Sequence, residues 1–351
     1  MKNILIVKTS ALGDIIHTFP IISYLKSRFP FAQIDWVVEK QGAELVQAHP
    51  FVTRTLRVNT KEWRRSPWKY RDEIKKFRHL LRVIDYDCVF DLQGNVKSAL
   101  VTTQARSACK VGFGWRSVPE WPNVFFTHHR YNPVHGNNIR DDYLAIVQAH
   151  FGDAEPYSPP GILLEIPPAH VEQIHSILAL PQLQKRNKVM VCPGSAWRNK
   201  QMSEASLIRF LDNVKGHLDC SFLFVWGNME ERDTAQRLTK HFHNDSQLIE
   251  RLPLSTLQNL MNKMDLVIAM DSLPLHLAGT TDTKTFSVFG SSLAAKYKPK
   301  GDKHQSYQGT CPYKRTFEKR CPILRTCSTG ACIRDLNNNE LFSKFLSSLE
   351  I

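Results

Sequence analysis

The sequence of 351 residues has no apolar run approaching the roughly 18 residues of a membrane-spanning helix, so none is expected. Its opening, MKNILIVKTSALGD, starts like an export signal, but the apolar run Ile4–Val7 is too short for one. Internal repeats and low-complexity tracts are absent. Acidic residues are in deficit: 33 Asp and Glu face 46 Lys and Arg, a formal net charge of +13. That surplus attracts polyanions, whether nucleic acid, anionic lipid head groups or phosphorylated glycans, and does not choose among them. A basic solvated surface explains it equally simply. The composition, 42% hydrophobic and 23% charged, argues against wholesale disorder or a fibrous chain. The length predicts two domains.

What is present alternates. Ile4–Val7 reads as a buried strand, and Ile15, Phe19, Ile22, Leu25 and Phe29 then step at helical spacing. Pro20 falls inside that stripe and predicts a bend or a restart. Further strands are expected at Trp36–Val38, Leu56–Val58 and Cys88–Leu92, with a helical stripe Ile74, Phe77, Leu81, Ile84. The prolines and glycines of 152–161 form a linker. Beyond it strands are expected at 189–192, 222–226, 247–249, 266–269 and 285–289, alternating with helices at 205–218, 230–242 and 256–263 and followed by a closing helix at 339–349. The order predicts an α/β protein of two domains, 1–155 and 162–351, with mainly parallel sheets and a cleft between them.

Four polar blocks fall at expected strand ends. Lys8–Asp14 occupies the phosphate-loop position but lacks both G-x-G-x-x-G and the P-loop pattern. Asp14 there is either a helix-capping carboxylate or a base able to take a proton from a hydroxyl. Asp91–Ser98 opens another helix, with Gly94 at a tight turn and Lys97 suited to an anion. Pro193–Lys200 offers small residues for a phosphate to approach, and Arg198 or Lys200 to neutralise it. In Asp271–His276, Ser272 is a natural N-cap, Pro274 a first-turn residue, and His276 lies one turn on. Each block has a structural explanation by itself. Together they suggest a nucleotide-type donor on the second domain and a base from the first.

These blocks resemble the heptosyltransferases of lipopolysaccharide core assembly over nearly the whole length. The match rests on ILIVKTSALGDIIHTFP, WVVE, DLQGNVKSA, WGNMEER, MDSLPLH and VFG. The resemblance implies a GT-B fold: two Rossmann-like domains, with acceptor on the first and nucleotide sugar on the second. It also implies an inverting glycosyltransferase that moves heptose from ADP-L-glycero-β-D-manno-heptose to the inner core of lipopolysaccharide, without a metal cofactor. By the same resemblance Asp14 is the general base. Lys200 holds the donor pyrophosphate, Glu231 the ribose hydroxyls and Asp271 the donor sugar, while Ser272 and His276 form the phosphate-binding turn. The chain departs from the family at Leu273, where glycine is usual, and at Gln201-Met202, where tryptophan-proline is usual.

In the first domain Trp63 and Trp68 stand among Lys61, Arg64, Arg65, Lys69 and Arg71. Arg64 and Arg65, with Lys97, are the candidate contacts to an anionic glycolipid acceptor of the lipid A and Kdo type. This implies a cytoplasmic enzyme peripheral at the inner face of the inner membrane. A solvated helix face is the plain alternative. Other acceptors, a protein or a surface polysaccharide, remain open. So does a non-catalytic nucleic-acid-binding role, although no nucleic-acid motif is present and no such partner is expected. Cys311, Cys321, Cys327 and Cys332 resemble a cysteine-bearing C-terminal segment of part of the family. Their spacing lacks a C-x2-C knuckle, so they are either four metal ligands or reduced thiols packing a loop.

Overall fold

The computed structural model describes residues 1–134 and 136–349. The chain divides into two compact units, Met1–Pro160 and Gly161–Ile351. The first holds strands β1 (Asn3–Val7), β2 (Gln33–Glu39), β3 (Arg54–Val58), β4 (Cys88–Asp91), β5 (Lys110–Phe113) and β6 (His129–Tyr131). The second holds β7 (Asn187–Cys192), β8 (Cys220–Phe224), β9 (Ser246–Leu248), β10 (Leu266–Met270), β11 (Lys284–Phe289) and β12 (His304–Gln308).

The first sheet runs β3-β2-β1-β4-β5-β6 and the second β12-β11-β10-β7-β8-β9, every pair parallel. Numbered from its own first strand, each sheet has the doubly wound order 3-2-1-4-5-6. The same architecture occurs twice without a sequence repeat, because burial on both faces asks only for apolar strands. Each unit therefore has one sheet edge where the carboxyl ends of its strands gather.

The helix Leu12–Arg28 continues through Pro20, which is buried inside it, so it does not restart there. Proline removes one backbone donor there, and the apolar neighbours Phe19, Ile21 and Ile22, all buried, keep the helix on the sheet. The C-terminal helix Asn338–Leu349 inserts Phe345 into the second core, its ring 5.6 Å from Phe210 and 5.2 Å from Phe286. Burying such a ring contributes about 1.5–3 kcal/mol. Strands β6 and β12 and the helix Ile139–His150 are not evident in the sequence pattern. HRY and HQSYQ are polar edge strands, half-exposed and without alternation. Among the described residues no helix is long and apolar enough to cross a membrane.

Candidate functional site

At the carboxyl edge of the first sheet, two of the sequence blocks are tied by one side chain. Gln93 Oε1 accepts from Thr9 N at 2.9 Å and from Ser10 N at 3.0 Å, so the loop after β4 holds the loop after β1. Asp91 is fully buried beneath them. Its Oδ1 accepts from the amides of Gln93 and Gly94, and its Oδ2 from Ser98, Thr102 and Asn123 side chains. Burial raises the Asp91 carboxyl above its usual range, against the pull of these donors. Gly94 has φ +71°, and a Cβ there would meet Pro119 and Phe113, so glycine is required.

Asp14 lies in the first turn of Leu12–Arg28, half-buried. Its Oδ2 accepts from Ala11 N at 3.2 Å, a capping bond. Among the described residues Oδ1 takes no hydrogen bond, which leaves one oxygen to receive a proton. Lys8 is buried behind it and donates to Leu92 O at 3.0 Å and Tyr143 Oη at 2.8 Å. Burial lowers the Lys8 ammonium to about 8, while Asp14 and Asp91 oppose that shift. Lys97 is half-buried in the first turn of Val96–Gln104, with no ion pair among the described residues. Arg64 and Arg65 are exposed on the helix Thr60–Arg65, which follows β3. Trp68 is 86% exposed beside them, whereas Trp63 packs against Phe77 at 5.4 Å and belongs to the core margin.

In the second unit the loop after β7 meets the start of the helix Met229–Phe242. Glu231 Oε2 accepts from Gly227 N at 2.7 Å, and Asn228 caps the helix by accepting from Glu231 N at 3.0 Å. The Glu231 carboxylate lies directly over Gly194, where a Cβ would sit 2.1–2.5 Å from its atoms. Beside them an open cavity of about 400 Å³ is lined by Gly194, Ser195, Arg198, Glu231 and Arg334 among others. Arg198 and Arg334 form no ion pair among the described residues, so both guanidinium groups can meet an anion.

Lys200 is not among the residues lining that opening. It is buried and paired with Asp271, whose Oδ2 also accepts from Ser292 Oγ. His276 Nε2 stands 3.5 Å from Asp271 Oδ1. Burial by itself would raise the Asp271 carboxyl, but His276 and Lys200 outweigh it and hold it well below the usual carboxylate range. The structure thus joins Lys200, Asp271 and His276, and puts Glu231 on the cavity. Ser272 occupies the N-cap position of Leu273–Ala278 but makes no side-chain capping bond, and donates instead to Met270 O at 3.3 Å. His276 thus faces Asp271, the residue just before the N-cap Ser272. Pro274 occupies the first turn as expected.

Arg334, Ser292 and Gln93 have no evident signal in a single sequence, since their partners lie far away in the chain. Asn199 is another such residue: its Nδ2 donates to the carbonyls of Leu324 and Cys327 at 2.9 and 2.7 Å. That contact brings the cysteine segment against the Arg198–Lys200 turn. Cys311, Cys321, Cys327 and Cys332 all line one small cavity of about 20 Å³, room for a single water or ion. Gly330 N–H donates to Cys327 Sγ at 3.4 Å and lowers that thiol, while burial and the other three sulfurs push Cys332 up to about 11.

Residues 74–326 match the profile of glycosyltransferase family 9 (heptosyltransferase). The chain is 29% identical to lipopolysaccharide heptosyltransferase 1 of Pseudomonas aeruginosa over 290 residues, covering 82% of this chain and 78% of that one. It is 27% identical to the protein of the same name from Escherichia coli K12 over 293 residues, covering 82% and 88%. The solved E. coli heptosyltransferase WaaC with ADP superposes with a TM-score of 0.76 at 22% identity, covering 99% of each chain, and so shares the GT-B fold. The profile match spans well over half of the chain, the fold agrees, and the chain belongs to glycosyltransferase family 9, the heptosyltransferases.

Proposed function

We propose that this glycosyltransferase moves heptose from ADP-L-glycero-β-D-manno-heptose to the inner core of lipopolysaccharide, inverting the anomeric carbon. The observation that carries the reading is the cavity of the second unit, where Glu231 shares one opening with Arg198 and Arg334, which form no ion pair among the described residues, beside the Arg237–Glu204 pair. Glu231 suits the ribose hydroxyls as an acceptor, and Arg198 suits the diphosphate. Lys200, Asp271, Ser272 and His276 complete the donor side, with Lys200 easing departure of ADP electrostatically. Relatives named lipopolysaccharide heptosyltransferase 1 support the donor and acceptor classes.

In the reaction an acceptor hydroxyl oxygen bonds to the anomeric carbon as the bond from that carbon to ADP breaks. The hydroxyl proton passes to Asp14, through the carboxylate oxygen not engaged in capping. Arg64, Arg65 and Lys97 lie in the unit that would receive an anionic acceptor of the lipid A and Kdo type. The enzyme would work peripherally at the cytoplasmic face of the inner membrane. Mass spectrometry of core glycolipid from a strain lacking this protein tests the reading: the core should be truncated at a heptose position. A full-length core, with no ADP released by the purified enzyme from ADP-heptose and a heptose-free acceptor, overturns it.

A further inference from the structure

The amino edge of the first sheet, remote from Asp14 and Asp91 along β1 and β4, carries a second cluster of reactive side chains. Cys88 begins β4, Cys109 immediately precedes β5, and the two are ladder neighbours: Val89 N donates to Cys109 O at 2.9 Å. Neighbouring residues in register project to the same face, so both sulfurs point at the helix that packs there. That helix, Ile139–His150, ends by presenting an imidazole to them.

Two of the three distances are those of a ligand set. His150 Nε2 is 3.4 Å from Cys109 Sγ and 3.9 Å from Cys88 Sγ, and the two sulfurs are 3.0 Å apart. In a tetrahedral zinc site, bonds of about 2.3 Å to sulfur and 2.0–2.1 Å to nitrogen put S···N edges near 3.6 Å and S···S edges near 3.8 Å. Both S···N separations already fit, and the sulfurs need only open by under about 1 Å. Among the described residues, this is the group of three His, Cys, Asp or Glu side chains whose ligand atoms all lie within 4.8 Å of one another. We infer that Cys88, Cys109 and His150 form a site for a thiophilic divalent cation of the zinc type, separate from the substrate-handling edge of the sheet.

Water would fill the fourth corner; the exposed His129, its ring centroid 5.2 Å from that of His150, lies outside the ligand group. Binding would release the two thiol protons to solvent and form two thiolate bonds and one imidazole bond to the ion. The site would pin β4, β5 and the end of Ile139–His150 together.

The test uses the full chain, stripped by a chelator under reducing conditions, re-equilibrated with zinc and desalted. Plasma mass spectrometry should count one zinc fewer per chain in Cys109→Ser and in His150→Ala than in the wild type. Cys327→Ser, which alters the other cysteine cluster, should keep this zinc. Should the variants misfold, wild-type crystals grown with zinc should show an anomalous peak between Cys88, Cys109 and His150. Equal zinc in wild type and Cys109→Ser, no peak in the crystals, or a Cys88–Cys109 disulfide in zinc-equilibrated protein would each overturn the site.

Discussion

Lys200 and Asp271 form a buried ion pair, 71 residues apart in sequence, with His276 and Ser292 on the same carboxylate. Removing one partner leaves an uncompensated buried charge, so Lys200→Ala should cost about 3–5 kcal/mol of stability in urea denaturation. Adding Asp271→Asn should restore much of it. ADP binding in the folded double variant should stay weaker by about 1.5–3 kcal/mol, the scale of one charge-assisted bond. Unchanged ADP affinity by calorimetry would remove Lys200 from the donor site. The Asp271 carboxyl is depressed in the folded state, so its contribution is present above the unfolded value near 3.9 and is lost as pH falls below it.

Asp14→Asn separates capping from base chemistry. Asparagine keeps an acceptor for the N–H of the N-cap residue Ala11, the bond a third-position side chain returns, so folding should be unaffected. Turnover should fall by about 10²–10⁴-fold, the usual worth of a positioned base. A folded variant with turnover within about threefold of wild type would leave Asp14 as a cap alone, being far short of that range.

Lys8 should give stability an unusual alkaline signature. Its folded value of about 8 lies below the unfolded one, so the folded chain holds fewer protons between the two. The burial penalty is fully present below pH 8 and is relieved as pH rises toward about 10.4. Wild-type stability relative to Lys8→Met should therefore rise by about 2.5 kcal/mol from pH 7 to pH 10. A pH-independent difference between the two denaturation series would contradict this.

Gly194→Ala should weaken ADP binding at least tenfold by displacing Glu231, whose carboxylate occupies the space a Cβ needs. Gly216→Ala is the matched control. A Cβ there meets nothing within 4 Å, and alanine in a helix should stabilise by roughly 0.5–1 kcal/mol. Calorimetry on both variants reads the contrast.

Association with anionic vesicles should weaken as salt rises, because exposed charges such as Arg64 and Arg65 are screened over about 8 Å at 0.15 M. Arg64→Ala/Arg65→Ala should reduce the binding at low salt. Salt-insensitive flotation, or none, would argue against an electrostatic membrane contact.

The apolar strands were legible because burial on both faces writes itself as runs such as LIV and CVF. The polar edge strands β6 and β12 write no such run. The four strand-end blocks were legible as loops, and the structure brings Lys200, Asp271 and His276 together from two of them. Their side-chain directions were not legible. Ser272 sits at the N-cap position without a capping bond, and the His276 imidazole stands beside the buried Asp271 carboxylate, which needs partners. The roles of Gln93, Ser292 and Arg334 depend on residues far along the chain, where local spacing carries no signal.

The Asn199 contact to the carbonyls of Leu324 and Cys327 also sets an order of events during synthesis. Residues 198–200 leave the ribosome long before residues 324–327 exist. Until those later residues emerge, the turn lacks the carbonyls that hold it, and the second core lacks Phe345. A ribosome stall between residues 277 and 323 would leave a chain that has Lys200, Glu231, Asp271 and His276 but lacks the carbonyls of Leu324 and Cys327 that hold Asn199.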